Sequence, residues 1–369
     1  MTQSISSLYH PNDFWKGKRV LVTGHTGFKG SWLCLWLQRL GAEIYGYSLP
    51  ASSDSLFTQL SPDSNQCQNY FADVRNAPRI DQCVAETKPD VIFHLAAQPL
   101  VLSSYQQPKE TWDINVTGTI NLLQATRNLQ HTCAIVVVTT DKVYLNQETT
   151  YSYRETDPLG GIDPYSSSKA AAELAVASWR SSFTGSSVSG NPNLLIATAR
   201  AGNVIGGGDW APDRLIPDFV RAYCTGSVLT VRHPFATRPW QHVLDPLNGY
   251  IRLAEKLYSS SVFAQAFNFG PLPSGQRTVS ELLHLASLDL PVPTKSIRSD
   301  NAPHEAKLLS LSIDHSAHLL EWLPYWDFEQ SVRRTVRWYK SVLTNELSPA
   351  DACLLDLSAY TSCHPTQVH

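Results

Sequence analysis

A glycine-rich loop near the start of the chain constrains the fold more than any other feature. An apolar run at residues 18–23 predicts a buried strand, and residues 31–40 have the apolar spacing of a helix. Between them lies GHTGFKG, in which Gly24, Gly27 and Gly30 recur every three residues. Glycine here permits a tight turn and lets a pyrophosphate approach backbone amides at the helix start. The segment therefore predicts a dinucleotide-binding strand–loop–helix unit.

Strand-like and helix-like segments alternate through the N-terminal half. Strands are predicted at 18–23, 43–47, 69–72, 90–95, 133–138 and 194–199, and helices at 31–40, 111–128 and 165–179. This alternation is typical of an α/β fold, here a Rossmann-type doubly wound parallel sheet covered on both faces. A smaller, mostly C-terminal lobe is expected to complete it.

The composition changes after Asn203, where glycine, proline, tryptophan and arginine become frequent. We predict a dinucleotide-binding Rossmann domain over 1–203, with a return segment at 241–270. A substrate-binding lobe is predicted over 204–240 and 271–345. The polar stretch 346–369 is predicted to be a disordered tail.

Bulk properties exclude several classes of protein. The 369 residues carry a formal charge of −3, which gives no reason to expect nucleic acid as a partner. No run is long and apolar enough to span a membrane, and the N-terminus lacks the pattern of a signal peptide. Seven cysteines without paired spacing predict reduced thiols, a cytoplasmic location and no metal site.

The end of the second predicted strand bears on the choice of cofactor. NAD-binding proteins of this fold usually place a carboxylate there for the adenosine ribose, but this chain has Ser48. No arginine replaces it, so we predict NAD. Lys29 is a nearby cation that could reach the 2′-phosphate of NADP, which keeps NADP as an alternative.

Other strand ends supply further candidate cofactor contacts. Asp73 and Val74 follow the third strand and are placed to meet the adenine edge, and the Ala96-Ala97-Gln98 segment follows the fourth, near the nicotinamide ribose. The predicted cofactor-binding residues are Gly24, Thr26, Gly27, Phe28, Gly30, Ser48, Asp73, Val74, Ala96, Ala97, Gln98, Tyr165 and Lys169.

Tyr165 and Lys169 are one helical turn apart in DPYSSSKAAAEL. The lysine is expected to favour the phenolate and lower the tyrosine pKa, so that Tyr165 can take a proton from a sugar hydroxyl. Thr140, Asp141 and Lys142 follow the fifth strand and add a hydroxyl, a carboxylate and an ammonium. An acid–base couple of this kind is needed for an elimination but not for a simple oxidation.

Taken together, the motifs resemble the extended short-chain dehydrogenase/reductase family of NAD-dependent epimerases and dehydratases. Within it the chain is similar to the CDP-glucose branch of the 4,6-dehydratases. The segments that carry this resemblance are GHTGFKGSWL, HLAAQPLV, TTDKVY, DPYSSSKAAAEL, RAGNVIGGGDWAPDRLIPD, RPWQHVLDPL, NFGP and PHEA. Two positions depart from the pattern: Leu102 stands in place of an arginine, and Leu145 in place of a glutamate.

The resemblance implies a lyase of deoxysugar biosynthesis that converts CDP-D-glucose into CDP-4-keto-6-deoxy-D-glucose. Carbon 4 is oxidised, water is lost across carbons 5 and 6, and hydride returns to carbon 6. The implied catalytic residues are Thr140, Asp141, Lys142, Tyr165 and Lys169, with Lys142 assigned as base and Asp141 as acid. Asn203, Arg214, Arg238 and His242 are implied to bind the nucleotide sugar, and a homodimer is expected.

Three alternatives stay open at the level of sequence. A nucleotide-sugar 4-epimerase would use Tyr165 and NAD alike but would not need Asp141 and Lys142. A dehydratase could act on another nucleotide hexose. A catalytically idle nucleotide sensor would keep only the glycine loop.

Overall fold

The computed structural model describes residues 13–60, 67–185, 187–296 and 308–362. The PHEA segment at 303–306 lies outside the described residues. The described strands are β1 (Arg19–Thr23), β2 (Glu43–Ser48), β3 (Cys67–Phe71), β4 (Val91–His94), β5 (Cys133–Val138), β6 (Ser152–Tyr153), β7 (Leu194–Ala201), β8 (Val204–Ile205), β9 (Leu229–Val231), β10 (Thr237–Pro239), β11 (Gln241–His242), β12 (Ala266–Phe269), β13 (Gln276–Thr278), β14 (Thr294–Ser296) and β15 (Ser310–Leu311).

Seven of these strands form a central parallel sheet in the order β12-β7-β5-β4-β1-β2-β3. The order reverses between β1 and β4, and such a reversal opens a crevice at the carboxyl ends of the strands. The predicted doubly wound parallel sheet is confirmed. The remaining strands form two-stranded pairs: β10 with β13, β11 with β8, β14 with β9, and β15 with β6.

Helices cover both faces of the sheet. They are α1 (Phe28–Arg39), α2 (Leu56–Leu60), α3 (Ala77–Thr87), α4 (Val101–Gln106), α5 (Pro108–Trp112), α6 (Gly118–Thr126), α7 (Pro164–Phe183), α8 (Leu215–Thr225), α9 (Leu244–Ser259), α10 (Val279–Ser287), α11 (Asp314–Leu319), α12 (Phe328–Leu343) and α13 (Pro349–Ser362). A π-helical turn at Asp113–Thr117 joins α5 to α6. The long helix predicted at 111–128 therefore exists, with its register shifted in the middle. No described helix is long and apolar enough to cross a membrane.

Two hydrophobic cores lie on opposite faces of the sheet. In β5, Ala134, Val136 and Val138 belong to one core, while Cys133, Ile135 and Val137 belong to the other. The first core includes Trp32 and Trp36 of α1, and the second includes Leu122 and Leu123 of α6. Alternate residues of a strand point to opposite faces, so a strand covered on both sides is apolar throughout. This explains the unbroken apolar sequence of β5.

The prediction of a disordered tail from residue 346 is wrong for Pro349–Ser362, which forms α13. Cys353, Leu357 and Tyr360 of this helix are buried in the first core. Their spacing of four and three residues places them on one face of a helix, and the burial of that face stabilises the segment. The division into two lobes stays a prediction, although β12 does return the chain to the central sheet.

Candidate active site

The predicted site residues converge on one cavity of about 740 Å³ at the carboxyl ends of β1, β4 and β5. All of them except Gln98 and His242 line it. The lining therefore includes Gly24, Thr26, Gly27, Phe28, Gly30, Ser48, Asp73, Val74, Ala96, Ala97, Thr140, Asp141, Lys142, Tyr165, Lys169, Asn203, Arg214 and Arg238.

The glycine loop forms one wall of the cavity, and its backbone geometry requires glycine. Gly24 has a φ of +73°. A Cβ on Gly24 would lie 2.7 Å from the Ala96 nitrogen, and one on Gly30 would lie 2.2 Å from the Gly24 carbonyl oxygen. Larger residues would push the loop away from β4 and from the start of α1.

The start of α1 is suited to hold a dinucleotide diphosphate. Its N-cap, Gly27, lines the cavity and makes no side-chain hydrogen bond to the first-turn amides. The first turn of α1 also contains no acidic residue. Amides at a helix start that lack a side-chain cap attract anions, because they combine unmade hydrogen bonds with the positive end of the helix dipole. The residues present therefore fit the predicted dinucleotide.

The end of the cavity that is predicted to hold adenosine, called the adenosine end below, has short polar contacts between its side chains. The Thr26 and Ser48 hydroxyls are 2.7 Å apart. Asp73 accepts hydrogen bonds from the Arg75 guanidinium, at 3.0 Å from Nε and 2.6 Å from Nη2. These bonds lower the pKa of Asp73, even though burial opposes the change. Its carboxylate stays ionised and oriented by a neighbour two residues away.

The opposite end of the cavity carries the Thr140–Asp141–Lys142 segment. The Thr140 hydroxyl donates to Asp141 Oδ1 at 3.0 Å and accepts from the Lys142 backbone amide at 3.4 Å. Among the described residues, Asp141 Oδ2 is buried without a hydrogen-bond partner. Burial raises the pKa of Asp141, although Lys142 and the Thr140 hydrogen bond pull it down. A buried carboxyl with a raised pKa is suited to donate a proton.

Helix α7 presents Tyr165 and Lys169 to the same end. Asp163 caps the helix by accepting from the Ser166 amide at 3.0 Å, which sets Tyr165 in the first turn. Burial raises the pKa of Tyr165 to about 12, and the interaction of its phenol with the Thr140 hydroxyl opposes that rise. Lys169 donates to the Val138 carbonyl at 3.2 Å. The predicted lowering of the Tyr165 pKa is therefore wrong for this geometry, because desolvation outweighs the stabilisation of the phenolate.

Two predicted contacts lie outside the cavity lining. His242 is fully buried between Trp32 and Trp326, with ring centroids 6.1 and 4.7 Å away. Its Nδ1 accepts from the Leu244 amide at 3.3 Å, and burial lowers its pKa to about 3. The prediction that His242 binds substrate is corrected: pairing of β11 with β8 leaves this side chain in the core.

Gln98 instead braces the loop after β4. Its Nε2 donates to the Thr111 hydroxyl at 2.9 Å and to the Leu100 carbonyl at 3.0 Å, and its Oε1 accepts from the Leu100 amide at 2.6 Å. Both ends of the amide are therefore used within the protein, and the predicted contact of this segment with the cofactor stays a prediction. Of the two departures from the family pattern, Leu102 lines the cavity, whereas Leu145 is exposed and does not.

The cavity also contains charged residues that sequence reasoning did not place there. Asp209 accepts from Arg214 Nη1 at 2.8 Å and so orients that guanidinium. The Lys29 ammonium is 6.0 Å from the Tyr250 ring centroid. Burial, followed by the charge of Arg214, lowers the pKa of Lys29 to about 8. The charges of Asp141 and Lys169 also act on the Lys29 ammonium.

The fold and the Tyr165–Lys169 pair define a member of the extended short-chain dehydrogenase/reductase class. Within that class, the chain belongs to the GDP-mannose 4,6-dehydratase family, whose model matches residues 21–269. A CDP-glucose 4,6-dehydratase of Salmonella typhimurium is 42% identical over 336 residues, which cover 90% of this chain and 94% of that protein. The resemblance to the CDP-glucose branch is confirmed.

Solved structures share the fold at lower identity. A dTDP-glucose 4,6-dehydratase from Streptomyces venezuelae, solved with NAD, has a TM-score of 0.75 at 24% identity and covers 88% of this chain and 97% of its own. A UDP-glucose 4-epimerase from Stenotrophomonas maltophila, also solved with NAD, has a TM-score of 0.76 at 23% identity, covering 89% and 99%. Dehydratases and epimerases thus share this architecture, and the site must distinguish them.

Proposed function

We propose that the protein is a sugar-nucleotide 4,6-dehydratase that converts CDP-D-glucose into CDP-4-keto-6-deoxy-D-glucose with NAD as cofactor. The observation that carries this proposal is the acid–base couple of Asp141 and Lys142, which shares one cavity with Tyr165 and Lys169. An epimerase needs the second pair but not the first. The 42% identity with a CDP-glucose 4,6-dehydratase supports both the reaction and the nucleotide.

In the first step, Tyr165 takes the proton from the hydroxyl at carbon 4 as a phenolate, and Thr140 hydrogen-bonds the same oxygen. Burial disfavours the phenolate, so nearby positive charge must stabilise it when the substrate is bound. NAD, when bound, accepts the hydride from carbon 4 and later returns it to carbon 6. Lys169 contributes positive charge beside the phenol. The ketone formed at carbon 4 acidifies the hydrogen at carbon 5, which prepares the elimination.

In the second step, Lys142 removes the proton from carbon 5 while Asp141 protonates the hydroxyl that leaves carbon 6 as water. Burial raises the pKa of Asp141, which favours the protonated form that this transfer needs. After hydride reaches carbon 6, the proton held by Lys142 returns to carbon 5. Over the cycle the sugar loses one water and the cofactor would be regenerated. The enzyme returns to its starting state once the proton that Tyr165 took from the carbon 4 hydroxyl replaces, by way of solvent, the proton that Asp141 gave to the leaving water.

Arg214, Arg238 and Asn203 are proposed to hold the diphosphate of the nucleotide sugar. Guanidinium groups match phosphate oxygens with two parallel hydrogen bonds. Arg214 is already oriented by Asp209 at 2.8 Å. Replacing Arg214 with methionine is expected to raise the KM for the nucleotide sugar while NAD binding is kept.

The test of the proposed function is incubation of the purified protein and NAD with CDP-, dTDP-, UDP- and GDP-hexoses. A 4-keto product with the mass of substrate minus water, formed fastest from CDP-glucose, is expected. A product of unchanged mass would mean a 4-epimerase. Faster turnover of another nucleotide hexose would make that compound the assigned substrate. Absence of product from all four would contradict the proposal and favour the catalytically idle nucleotide sensor.

We further propose a homodimer formed through α5 and α7. Trp112 of α5 and Leu174 of α7 are 41% and 61% exposed, and the two helices contact each other, so they can contribute to one apolar surface. Sedimentation should show a dimer, and Leu174→Glu should shift it toward monomer. A wild-type monomer at micromolar concentration would contradict the proposal.

A cytoplasmic location is proposed from the state of the thiols. The six cysteines that the structure describes are unpaired, and four of them are buried. Reducing compartments maintain such thiols. Fractionation of the source cells should recover the protein with cytoplasmic markers, and recovery with an oxidising compartment would contradict this.

A further inference from the structure

Glu173 is a buried carboxylate on α7 that the proposed mechanism does not use. It follows Tyr165 by two helical turns and Lys169 by one, so the three side chains share a helix face. Its exposed fraction is 3%. Its Oε1 accepts a hydrogen bond from the Thr139 hydroxyl at 2.5 Å. Thr139 directly precedes Thr140, so this bond joins the catalytic helix to the end of β5.

The second oxygen of Glu173 anchors a wider network. Oε2 accepts from the Thr198 hydroxyl and from Arg200 Nη2, each at 2.8 Å. Arg200 Nη1 donates to the Tyr144 hydroxyl at 2.9 Å, and that hydroxyl donates to Asn268 Oδ1 at 2.7 Å. Tyr144 lies two residues after Lys142. The network therefore holds the chain on both sides of the Thr140–Lys142 segment, at Thr139 before it and at Tyr144 after it.

We propose that Glu173 is the positioning residue of this active site: through Thr139 it fixes the end of β5, and through its charge it keeps Lys169 protonated for the oxidation at carbon 4. This inference rests on the proposed dehydratase function and adds a residue to it. Glu173 does not line the cavity. It therefore acts through Thr139 and Lys169 and not on the sugar.

The charges around Lys169 support this role. Burial lowers the pKa of Lys169 to about 8, and the charge of Glu173 opposes that change. From other elements, His94 of β4 and Lys29 of α1 also face Lys169. Burial lowers the pKa of His94 to about 3, so it is neutral, and Lys29 repels the ammonium. Neither can replace the carboxylate.

Glu173 itself stays ionised. Burial raises its pKa, but the charge and hydrogen bond of Arg200 and the two threonine hydroxyls lower it below the usual range. Arg180 of α7 adds a second positive charge nearby. Two arginines and two hydroxyls thus hold a carboxylate that would otherwise be costly to bury.

The test compares the wild-type protein with Glu173→Gln. The oxidation step is followed by rapid mixing of enzyme, NAD and CDP-glucose, with nicotinamide absorbance recorded across a range of pH. The variant should oxidise the sugar roughly tenfold more slowly at about pH 8, with the alkaline limb of the rate displaced by about one pH unit toward acid, because loss of an adjacent opposite charge lowers the pKa of Lys169. The KM and the affinity for NAD should stay within about twofold of wild type, since Glu173 touches neither ligand.

Asp356→Asn provides a matched control. Asp356 is also a buried carboxylate, paired with Arg334 at 3.5 Å, but it lies on α13 and does not line the cavity. The Asp356→Asn variant should have a lower melting temperature than the wild type, with the alkaline limb of its oxidation rate at the wild-type pH. A limb in Glu173→Gln that coincides with the wild-type limb would overturn the inference.

If Glu173→Gln does not fold, the double variant E173Q/R200M removes both partners of the 2.8 Å ion pair, so that Arg200 is not left buried without its carboxylate. A displaced limb in that variant supports the inference, and an unmoved one overturns it. The two proposals can fail separately. Wild-type protein that makes no 4-keto product would overturn both, whereas an active wild type with an unmoved limb in the variant overturns the role of Glu173 alone.

Discussion

The two ends of the cavity are built differently. At the catalytic end, Thr140, Asp141, Tyr165 and Lys169 are all at most 9% exposed. At the adenosine end, Thr26, Ser48 and Asp73 are half-buried and held by short polar contacts. Burial at the first end changes the pKa values of groups that are proposed to transfer protons, whereas the second end is proposed only to bind the cofactor. Changes at the catalytic end should therefore cost far more activity.

The largest effect is expected from Tyr165→Phe. Removing the hydroxyl that takes the carbon 4 proton should lower kcat by roughly 10⁴-fold, at the upper end of general-base contributions. NAD affinity, measured by titration calorimetry, should change little. Rapid hydride transfer to NAD in this variant would remove Tyr165 from the mechanism.

Lys142→Ala should come next, with a loss in kcat of roughly 10³-fold. Oxidation at carbon 4 does not need this side chain, so reduced nicotinamide should accumulate in a single turnover while dehydration stalls. Lys340→Ala, which changes a lysine on α12 that does not line the cavity, is the control. Dehydration as fast as in that control would exclude Lys142 as the base.

The pH dependence of the elimination tests Asp141. Because burial raises its pKa, the protonated acid persists to higher pH than for an ordinary carboxyl, and elimination should slow as pH rises through that raised value. Asp141→Asn should lose roughly 10²-fold in rate and abolish this limb. The dehydration step is measured separately by appearance of the 4-keto product. A limb that survives in the variant would assign it to another group.

At the adenosine end, Ser48→Asp should tighten NAD binding by roughly tenfold and weaken NADP binding. A carboxylate at the end of β2 can accept hydrogen bonds from the ribose hydroxyls and repels a 2′-phosphate. Fluorescence titration with both cofactors measures this, with Ser48→Ala as the control. Tighter binding of NADP than of NAD by the wild-type protein would overturn the cofactor proposal.

The smallest effect on turnover is expected from His242→Gln. The side chain packs between Trp32 and Trp326 and does not reach the cavity. The variant should lose about 1–2 kcal/mol of stability through imperfect packing, with an unchanged KM for CDP-glucose. Thermal unfolding and steady-state kinetics together check this, and a large rise in KM would restore the substrate role that the structure removes.

The predictions from sequence were most accurate for features that depend only on residues close together along the chain. The strand–loop–helix unit follows from Gly24, Gly27 and Gly30, and Tyr165 and Lys169 meet because they are one helical turn apart. Thr140, Asp141 and Lys142 are contiguous, so they share one strand end. In each of these cases local geometry fixes the side chains before tertiary contacts do.

The errors fall where distant parts of the chain decide a side chain's direction. His242 lies in a motif that resembles a substrate-binding segment, yet its strand pairing turns it into the core. The role of Glu173 depends on Thr139 and Arg200, whose strands are set by the sheet order. The direction of the Tyr165 pKa shift could not be predicted correctly from sequence, because it depends on burial and the spacing of residues along a helix does not show how deeply they are buried.

The buried face of α13 has a practical consequence for anyone who shortens this protein. The Tyr360 hydroxyl donates at 2.8 Å to Asp245 Oδ1, which also accepts from the Tyr325 amide at 2.8 Å. The polar sequence after residue 345 makes that position look like a suitable place to truncate the chain. Truncation there would remove one hydrogen-bond donor from the buried Asp245 carboxylate and expose Trp36, Tyr325 and Trp326, which pack against Tyr360. Expression vectors should keep this terminal segment and carry their affinity handle at the other end.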